Sequence, residues 1–152
     1  MWCIVVIEVT GNLWTYPADV RVITTNGFVK RNGECVMGAG CALEAKTKWS
    51  ELPKVLGDSI RKYGNVVTPI RLGDESDSAM LFAFPVKHNW FEKADIELIR
   101  RSAEQLVNKV SVFSPSAVVM PRPGCGNGGL RWEDVKPVIE PILDDRFHVI
   151  TF

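Results

Sequence analysis

The sequence lacks an excess of charge of either sign. Its 152 residues carry 18 lysines and arginines against 18 aspartates and glutamates, so the formal net charge is zero. Non-specific binding to nucleic acid depends on the release of counterions from phosphates, which needs clustered cations. The charge balance therefore argues against a protein that coats DNA or RNA broadly, and it leaves open the recognition of one modified nucleotide.

Metal-ligand patterns and long apolar runs are also scarce. The four cysteines, Cys3, Cys35, Cys41 and Cys125, form no Cys-x-x-Cys pair, and only two histidines accompany them. A zinc site usually needs four ligands at short, paired spacings, so we expect neither a metal nor a cofactor. Reduced cysteines in a cytoplasmic protein are the simpler interpretation. The apolar run Trp2–Ile7 is too short to cross a bilayer, and no membrane partner is expected.

Apolar patterning alternates between strands and helices along the chain. Strands are predicted at Trp2–Val9, Val20–Thr25, Val66–Leu72, Ala79–Phe84, Ala117–Met120 and His148–Phe152. Helices are predicted at Cys41–Trp49, Glu51–Tyr63, Ala94–Val110 and Trp132–Leu143. An acidic turn over residues 73–78 joins the third strand to the fourth. This alternation predicts one domain over residues 1–152, with a layered α/β/α fold around a mixed sheet.

Two glycine-rich segments stand at strand-to-helix junctions, at residues 36–42 and 123–130. Glycines bring backbone N–H groups close to an anion, and the N-terminus of the following helix adds a positive dipole. The later segment contains Gly-x-Gly-x-x-Gly, but a Rossmann site needs that motif in the first βαβ unit. Each segment alone is also compatible with a turn that binds nothing. Two together, at the carboxyl ends of strands, predict a nucleotide diphosphate ligand.

Four segments, taken in order, resemble the motifs of the macro-domain family. They are Thr-Gly-Asn-Leu at 10–13, Thr-Thr-Asn at 24–26, Val-Met-Gly-Ala-Gly-Cys-Ala at 36–42 and Pro-Arg-Pro-Gly-Cys-Gly-Asn-Gly-Gly-Leu-Arg-Trp at 121–132. The resemblance extends over essentially the whole chain, and it implies the three-layer α/β/α macro-domain fold and ADP-ribose as the ligand. Phe-Pro-Val-Lys at 84–87, followed by Trp90, is similar to the DarG branch of DNA ADP-ribosyl glycohydrolases. The terminal ADP-ribose protein glycohydrolases are a more distant match.

The resemblance also implies a role for individual residues. Asn12 takes the place of an aspartate that reads the adenine amino group, and a carboxamide oxygen can accept the same hydrogen bond. The Leu13 backbone is expected beside that ring, and Asn26 is expected to face the distal ribose. Phe152 is placed to stack on adenine, with an ordinary end-strand core residue as the alternative. The other implied ADP-ribose contacts are Met37, Gly38, Ala39, Gly40, Cys41, Pro121, Gly124, Cys125, Gly126, Asn127, Gly128, Gly129 and Leu130.

Lys87 falls where the resemblance places a catalytic lysine. A lysine in a dry pocket can attack, or remove a proton, at the anomeric carbon of the distal ribose. The expected activity is therefore removal of ADP-ribose from modified DNA or protein. Two alternatives stay open at this point. One is a non-catalytic ADP-ribose reader or sponge, and the other is a hydrolase of ADP-ribose phosphate or acetyl esters.

Two departures from the family patterns bear on catalysis. Gly128 stands where the terminal glycohydrolases have an aspartate, and His88 with Asn89 differs from the residues that follow the lysine in the DarG branch. With no carboxylate in the second glycine-rich segment, help from an acid has to come from elsewhere, such as Glu34 or Glu44.

Overall fold

The structure is a computed structural model, which describes residues 5–72 and 79–151. The strands are β1 (Ile7–Thr10), β2 (Val20–Asn26), β3 (Thr68–Ile70), β4 (Met80–Lys87), β5 (Val118–Pro121) and β6 (Phe147–Thr151). The helices are α1 (Gly40–Lys48), α2 (Leu52–Tyr63), α3 (Ile96–Ser111) and α4 (Trp132–Ile139). Within the two described ranges, every helix is too short or too polar to span a bilayer.

The strands form one mixed sheet in the order β1-β6-β5-β2-β4-β3. The edge strand β3 is antiparallel to β4, and the other pairings are parallel. Helices α1 and α2 cover one face, where Ile23 of β2 is buried with Leu52 and Leu56. Helices α3 and α4 cover the other face, where Val22 of β2 packs in the same core as Leu106. Because successive strand residues point to opposite faces, β2 serves both cores, and the predicted three-layer arrangement is confirmed.

Two of the boundaries that the sequence prediction misplaced lie near a proline. The prediction that α4 runs to Leu143 is wrong, because the helix ends at Ile139. Pro141 has no N–H with which to continue the ladder, although Glu140 before it keeps helical dihedrals. The prediction that β4 ends at Phe84 is also wrong, since the strand continues through Pro85. At Pro85, β4 is no longer paired with β3, so the N–H that proline lacks removes no hydrogen bond between these two strands.

The remaining differences are small or fall outside the described residues. The third strand is confined to Thr68–Ile70, shorter than the predicted Val66–Leu72. The acidic turn at 73–78, residues 2–4 of the predicted first strand, and Phe152 at the end of the last strand all lie outside the described residues.

Parallel pairing determines where the motifs meet. Strands β2, β4 and β5 lie side by side and run in the same direction, so their carboxyl ends lie at one edge of the sheet. Those ends are Asn26, Lys87 and Pro121. The fold thus gathers at one edge three residues that are separated by about 60 and about 30 positions along the chain, as open α/β sheets do around their ligands.

Candidate active site

A cleft of about 1010 Å³ opens at the carboxyl ends of β2, β4 and β5. Small-molecule sites commonly enclose roughly 300–1,000 Å³, so this cleft has room for a ligand of dinucleotide size. Residues 36–42, here called the first glycine loop, and residues 123–130, the second glycine loop, both contribute to its wall. The Cβ that an alanine at Gly40 would carry lies 3.5 Å from Asn127 Nδ2, which shows how closely the two loops approach.

The first glycine loop ends in a helix N-terminus without a cap. Ala39 is the N-cap residue of α1, it offers no side-chain hydrogen bond, and the first turn contains no acidic residue. Among the described residues, no acceptor bonds the backbone N–H groups of positions 38–42. Gly40 itself has φ of +58°, a conformation that favours glycine. Unpaired N–H groups and the helix dipole together make this end of α1 attractive to an anion.

Side chains of β2 fasten the first glycine loop to the sheet. Asn26 Nδ2 donates to the Val36 carbonyl at 2.9 Å, and Asn26 Oδ1 accepts from the Phe28 backbone N–H at 3.0 Å. Cys41 Sγ accepts from the Thr24 backbone N–H at 3.4 Å. Burial raises the pKa of the Cys41 thiol, so this cysteine stays protonated at neutral pH and is a packing group and not a thiolate nucleophile.

The second glycine loop is closed by its own backbone. Leu130 N–H donates to the Gly124 carbonyl at 2.9 Å, and Gly129 N–H donates to the Gly126 carbonyl at 3.1 Å. Across the described part of the chain, the N–H groups of residues 126–128 find no protein acceptor. Residues 126–128 all line the cleft, so three successive amides are available to a ligand there. A row of backbone N–H groups in a turn is a common way to bind phosphate.

Gly128 is glycine for reasons of space. A Cβ there would lie 2.5 Å from the Gly124 carbonyl oxygen and 2.8 Å from the Ala94 Cβ, and both distances are shorter than real contacts allow. Its own carbonyl accepts from the Ala94 backbone N–H at 2.9 Å, which ties the loop to the segment before α3. With this backbone, position 128 accommodates no carboxylate.

Lys87 lies where β4 enters the cleft. Its Nζ donates to the Trp90 carbonyl at 3.2 Å, and the side chain lines the cleft. The Lys87 carbonyl accepts from Asn65 Nδ2 at 3.0 Å and from the Gly27 N–H at 3.1 Å. A bulge between Thr25 and Asn26 brings Asn26 opposite Lys87 in the β2–β4 register. The backbone of the lysine is therefore fixed from two sides, while its amine reaches the cleft through a flexible side chain.

The cleft favours an anionic ligand. Lys30, Lys87 and Arg122 line it, against the single carboxylate Glu44 among the described residues. Of the two carboxylates considered from the sequence, only Glu44 reaches the cleft, because Glu34 accepts from the Asn32 side chain within its own loop. An excess of cations concentrates field lines in a concave site and raises its affinity for phosphate-containing ligands.

His88 does not take part in the cleft. Its Nε2 lies 2.8 Å from Asp95 Oδ2, and the hydrogen bond from His88 is the leading reason that the pKa of the Asp95 carboxyl falls below its ordinary value. Asp95 also caps α3, since its Oδ1 accepts from the Glu97 N–H at 2.9 Å. The pair therefore stabilises the beginning of α3 and the connection that carries Trp90.

The structure brings together most of the residues that the sequence pointed to. Those that line the cleft are Asn26, Gly38, Ala39, Gly40, Cys41, Lys87, Pro121, Gly124, Gly126, Asn127 and Gly128. Those that do not line it are Asn12, Leu13, Met37, Cys125, Gly129 and Leu130. Phe152, the residue expected to stack on adenine, lies outside the described residues.

The residues outside the cleft have structural contacts of their own. Asn12 Oδ1 accepts from the Trp14 N–H at 2.8 Å, and the Leu13 carbonyl accepts from the buried Arg21 guanidinium at 2.9 Å. Met37 is buried beneath the first glycine loop, in the core next to α1 and α2. Cys125 and Leu130 pack against the core under α3 and α4.

Sequence reasoning missed about half of the lining. The residues it did not assign to the site are Thr24, Thr25, Phe28, Lys30, Val36, Ala42, Glu44, Val86, Trp90 and Arg122. Five of them, Thr24, Thr25, Val36, Ala42 and Arg122, stand inside the motifs that carry the family resemblance, and Glu44 was considered only as a possible acid. Phe28 and Lys30 belong to no motif. They lie in the loop after β2, and the bridge between Val29 and Cys35 folds this loop back on itself.

Across residues 5–72 and 79–151, no three His, Cys, Asp or Glu side chains cluster as metal ligands.

Curated relatives extend over most of the chain at modest identity. A DNA ADP-ribosyl glycohydrolase of Thermus aquaticus is 27% identical over 139 residues, which cover 90% of this chain and 37% of the relative. The ADP-ribose glycohydrolase OARD1 of Bos taurus is 29% identical over 111 residues, with 73% of this chain and 69% of the relative covered. The chain thus spans little more than a third of the length of the first of these relatives. No protein-family model matches the chain.

Solved structures share the fold over nearly the full chain. The macrodomain of Mycobacterium tuberculosis DarG superposes with a TM-score of 0.79 at 24% identity, covering 95% of each chain. The macrodomain of Thermus aquaticus DarG gives 0.77 at 25% identity, covering 97% of each. The Thermosipho africanus DarTG structure in complex with ADP-ribose gives 0.74 at 19% identity, with 92% of this chain and 39% of that one covered. Together with the sheet order, these matches show that the chain has the macro-domain fold and is similar to the macrodomains of the DarG proteins.

Proposed function

We propose that the cleft binds ADP-ribose and that the protein removes ADP-ribose from a modified nucleotide in DNA by hydrolysis. The observation that carries this proposal is the position of Lys87. Its amine enters a cleft whose two glycine loops present unpaired backbone N–H groups. An anion site and a nucleophilic amine in one cleft are the parts that such a hydrolase needs. The similarity to relatives named DNA ADP-ribosyl glycohydrolase and ADP-ribose glycohydrolase supports the same substrate.

The pyrophosphate is the part of ADP-ribose that the two loops are suited to hold. The uncapped beginning of α1 offers the N–H groups of residues 40–42, and the second glycine loop offers those of 126–128. If each set of amides binds one of the two phosphates, both negative charges have a partner without a metal or a lysine. In this pose the distal ribose lies towards Asn26 and Lys87, at the ends of β2 and β4.

Hydrolysis requires an exchange of bonds at the anomeric carbon of the distal ribose. In the proposed reaction, the bond from that carbon to the acceptor nitrogen breaks, and its electron pair leaves with the acceptor, which takes up a proton. The Lys87 amine assists in one of two ways. In the covalent route it adds to that carbon as the acceptor leaves and loses a proton, and the bond from Nζ to that carbon breaks when water replaces the amine. In the other route the neutral amine takes up the proton that the attacking water loses. A water molecule supplies the oxygen that finally bonds to the anomeric carbon. No oxidant or reductant enters this balance, and the products are ADP-ribose and the unmodified acceptor.

Other candidate nucleophiles fit the described cleft less well. Burial raises the pKa of all three cysteine thiols in the described ranges, to about 12 for Cys35 and about 11 for Cys125. Such thiols are protonated at neutral pH and therefore weak nucleophiles. Position 128 has no room for a carboxylate. Among the described lining residues, Lys87 is the one to which the family resemblance assigns catalysis, and Glu44 is the one carboxylate.

Replacement of Lys87 by alanine tests the proposal. On an oligonucleotide that carries ADP-ribose on thymidine, we expect wild-type protein to release ADP-ribose and Lys87→Ala to lose at least about 100-fold in kcat/KM. Calorimetry with free ADP-ribose is expected to give similar Kd values for both proteins. The matched control is Lys109→Ala, which should behave as wild type. Lys109 lies in the last turn of α3 and does not line the cleft.

The remaining outcomes separate the alternatives. Full turnover by Lys87→Ala contradicts the assigned role of the lysine. Tight binding of ADP-ribose without turnover of any conjugate identifies a reader or sponge. Hydrolysis of ADP-ribose phosphate or acetyl esters that is indifferent to Lys87 identifies the small-molecule hydrolase. Absence of ADP-ribose binding contradicts the proposed ligand itself.

A further inference from the structure

We propose that Arg122 binds the adenosine-side phosphate of ADP-ribose and that Glu8 and Trp132 hold its guanidinium in position. This inference rests on the proposed function, since it concerns the same ligand in the same cleft. Arg122 stands in the motif at residues 121–132 and was not assigned to the site from the sequence.

Arg122 lies on the side of the cleft away from Lys87. It follows β5 directly and lines the cleft. Its Nη2 lies 3.5 Å from Oε1 of Glu8, which belongs to β1 at the edge of the sheet beyond β6. Strand β4, which carries Lys87, lies on the other side of β5, beyond β2. In the proposed pose the distal ribose lies near Lys87, so the part of ADP-ribose nearest to Arg122 is its adenosine diphosphate.

The groups that contact the guanidinium are themselves held by hydrogen bonds. Trp132 Nε1 donates to Glu8 Oε1 at 2.8 Å, and Lys136 Nζ donates to Glu8 Oε2 at 2.6 Å. The guanidinium carbon of Arg122 lies 5.1 Å from the centre of the Trp132 ring, within the range of a cation–π contact. The hydrogen bond from Lys136, followed by that from Trp132, lowers the pKa of the Glu8 carboxyl, which is therefore charged at neutral pH. An aromatic ring and a carboxylate thus position the arginine before any ligand binds.

The guanidinium keeps donors that the described residues do not satisfy. Both Glu8 oxygens already accept from other side chains, and 3.5 Å is longer than a good charge-assisted hydrogen bond. The Arg122 Nε is buried and has no partner among the described residues. An unsatisfied buried donor lowers stability, and departures of this kind are expected at functional sites. Because a guanidinium matches the geometry of a phosphate, a phosphate ligand is a suitable partner for the remaining donors.

The second glycine loop brings a phosphate to this arginine. The Cys125 N–H donates to the Arg122 carbonyl at 3.3 Å, so the chain turns immediately after the arginine, and the amides of 126–128 line the same cleft. Those amides carry only partial charges, whereas the guanidinium supplies a full positive charge. The other cations of the described lining, Lys30 and Lys87, follow β2 and end β4. Arg122 is therefore the one described cation that the end of β5 contributes to the cleft.

Replacement of Arg122 by methionine tests the inference, with calorimetry of ADP-ribose and of ADP. Methionine keeps an unbranched apolar side chain and removes the charge and every N–H donor. We expect Arg122→Met to bind both ligands about 10-fold more weakly than wild type, because both contain the adenosine-side phosphate. The Tm should stay close to that of wild type or rise, since the unsatisfied buried donor is removed.

Arg131→Met is the matched control, because it removes an arginine from the same segment. The Arg131 side chain is 72% exposed, pairs with Asp134 and does not line the cleft. Its loss is expected to change either affinity less than about twofold. Arg122→Lys is a second variant, which keeps the charge without the planar fork, and it is expected to lose less affinity than Arg122→Met.

Several results would overturn the inference. Wild-type affinity in Arg122→Met removes the arginine from the site, and a loss for ADP-ribose without a loss for ADP places it at the distal ribose. An equal loss in Arg131→Met reduces the effect to general charge, and an equal loss in Arg122→Lys shows that the charge is not what the ligand meets. A large fall in Tm in both Arg122 variants identifies a structural role. Wild-type protein that does not bind ADP-ribose contradicts the proposed function instead, so the two failures are distinguishable.

Discussion

The two glycine loops appear alike in the sequence and differ in how they are built. In the first loop the glycines leave free space, since a Cβ at Gly38 would have no neighbour within 4 Å. The free amides of this loop belong to the beginning of a helix that has no side-chain cap. In the second, Gly124 and Gly128 are packed against the segment before α3, and only Gly126 opens into free space. The helix behind the second loop carries Glu133 and Asp134 in its first turn.

The difference teaches that one residue type serves two purposes in the same cleft. Glycines of the first loop leave room for a ligand and allow a helix to begin at its edge. Glycines of the second loop let two stretches of backbone approach more closely than any side chain permits. Affinity for an anion then comes mainly from the helix dipole in the first loop and from a rigid row of amides in the second.

The largest effect is expected from Gly128→Ala, which breaks the packing of the second loop. The added Cβ would meet the Gly124 carbonyl oxygen at 2.5 Å, so backbone has to move. Overpacking of this kind costs about 3 kcal/mol of unfolding free energy. For a chain of this size that corresponds to a fall in Tm of roughly 6–12 °C, and we expect ADP-ribose binding to be lost as well.

Gly126→Ala is the matched control in the same loop. Its Cβ meets no atom within 4 Å, so the melting temperature should stay close to that of wild type while ADP-ribose binding weakens. Equal melting temperatures for the two variants, measured by calorimetry, would show that the second loop is not built on close packing.

A second change, Ala39→Asp, exploits the uncapped helix of the first loop. Ala39 has φ of −155° and ψ of 159°, which suits an N-cap residue, so an aspartate there is expected to stabilise the fold by about 1 kcal/mol. The same carboxylate would occupy the amides proposed for the pyrophosphate and repel its charge. We therefore expect a higher Tm together with an ADP-ribose affinity at least about 10-fold weaker. An affinity that matches wild type would remove the first loop from the anion site.

Much of the fold and part of the site followed from the sequence. Periodicity identified the helix at 96–111 and the strand at 20–26 almost to the residue, because both bury long, regular apolar faces. The glycine loops were located because they stand at strand ends, and parallel strands bring those ends to one edge. Lys87 was singled out by the resemblance to the macro-domain family, since a lysine after a strand carries no signal of its own.

What the sequence did not provide depends on distant contacts. Nothing local to Trp90 distinguishes a half-exposed indole at a cleft from a core residue, since that depends on where β4 and α3 meet. The lack of space at Gly128 comes from the nearby Gly124 carbonyl and also from Ala94, which is more than 30 positions earlier in the chain. Asn12 was expected in the site, yet the cleft lining does not include it, and its carboxamide oxygen bonds the Trp14 N–H. Its role at adenine remains a prediction, as does that of Phe152.

The smallest effect is expected from Glu133→Gln, which asks whether α4 contributes to the anion site at all. Glu133 lies in the first turn of α4 and does not line the cleft. Without its charge, the favourable interaction with the helix dipole is lost, and the free energy of unfolding should fall by a few tenths of a kcal/mol. The affinity for ADP-ribose should change less than about twofold. If calorimetry instead showed tenfold tighter binding, the dipole of α4 would act on the ligand as that of α1 is proposed to do. The two loops would then bind phosphate by one mechanism, and the contrast drawn between them would be wrong.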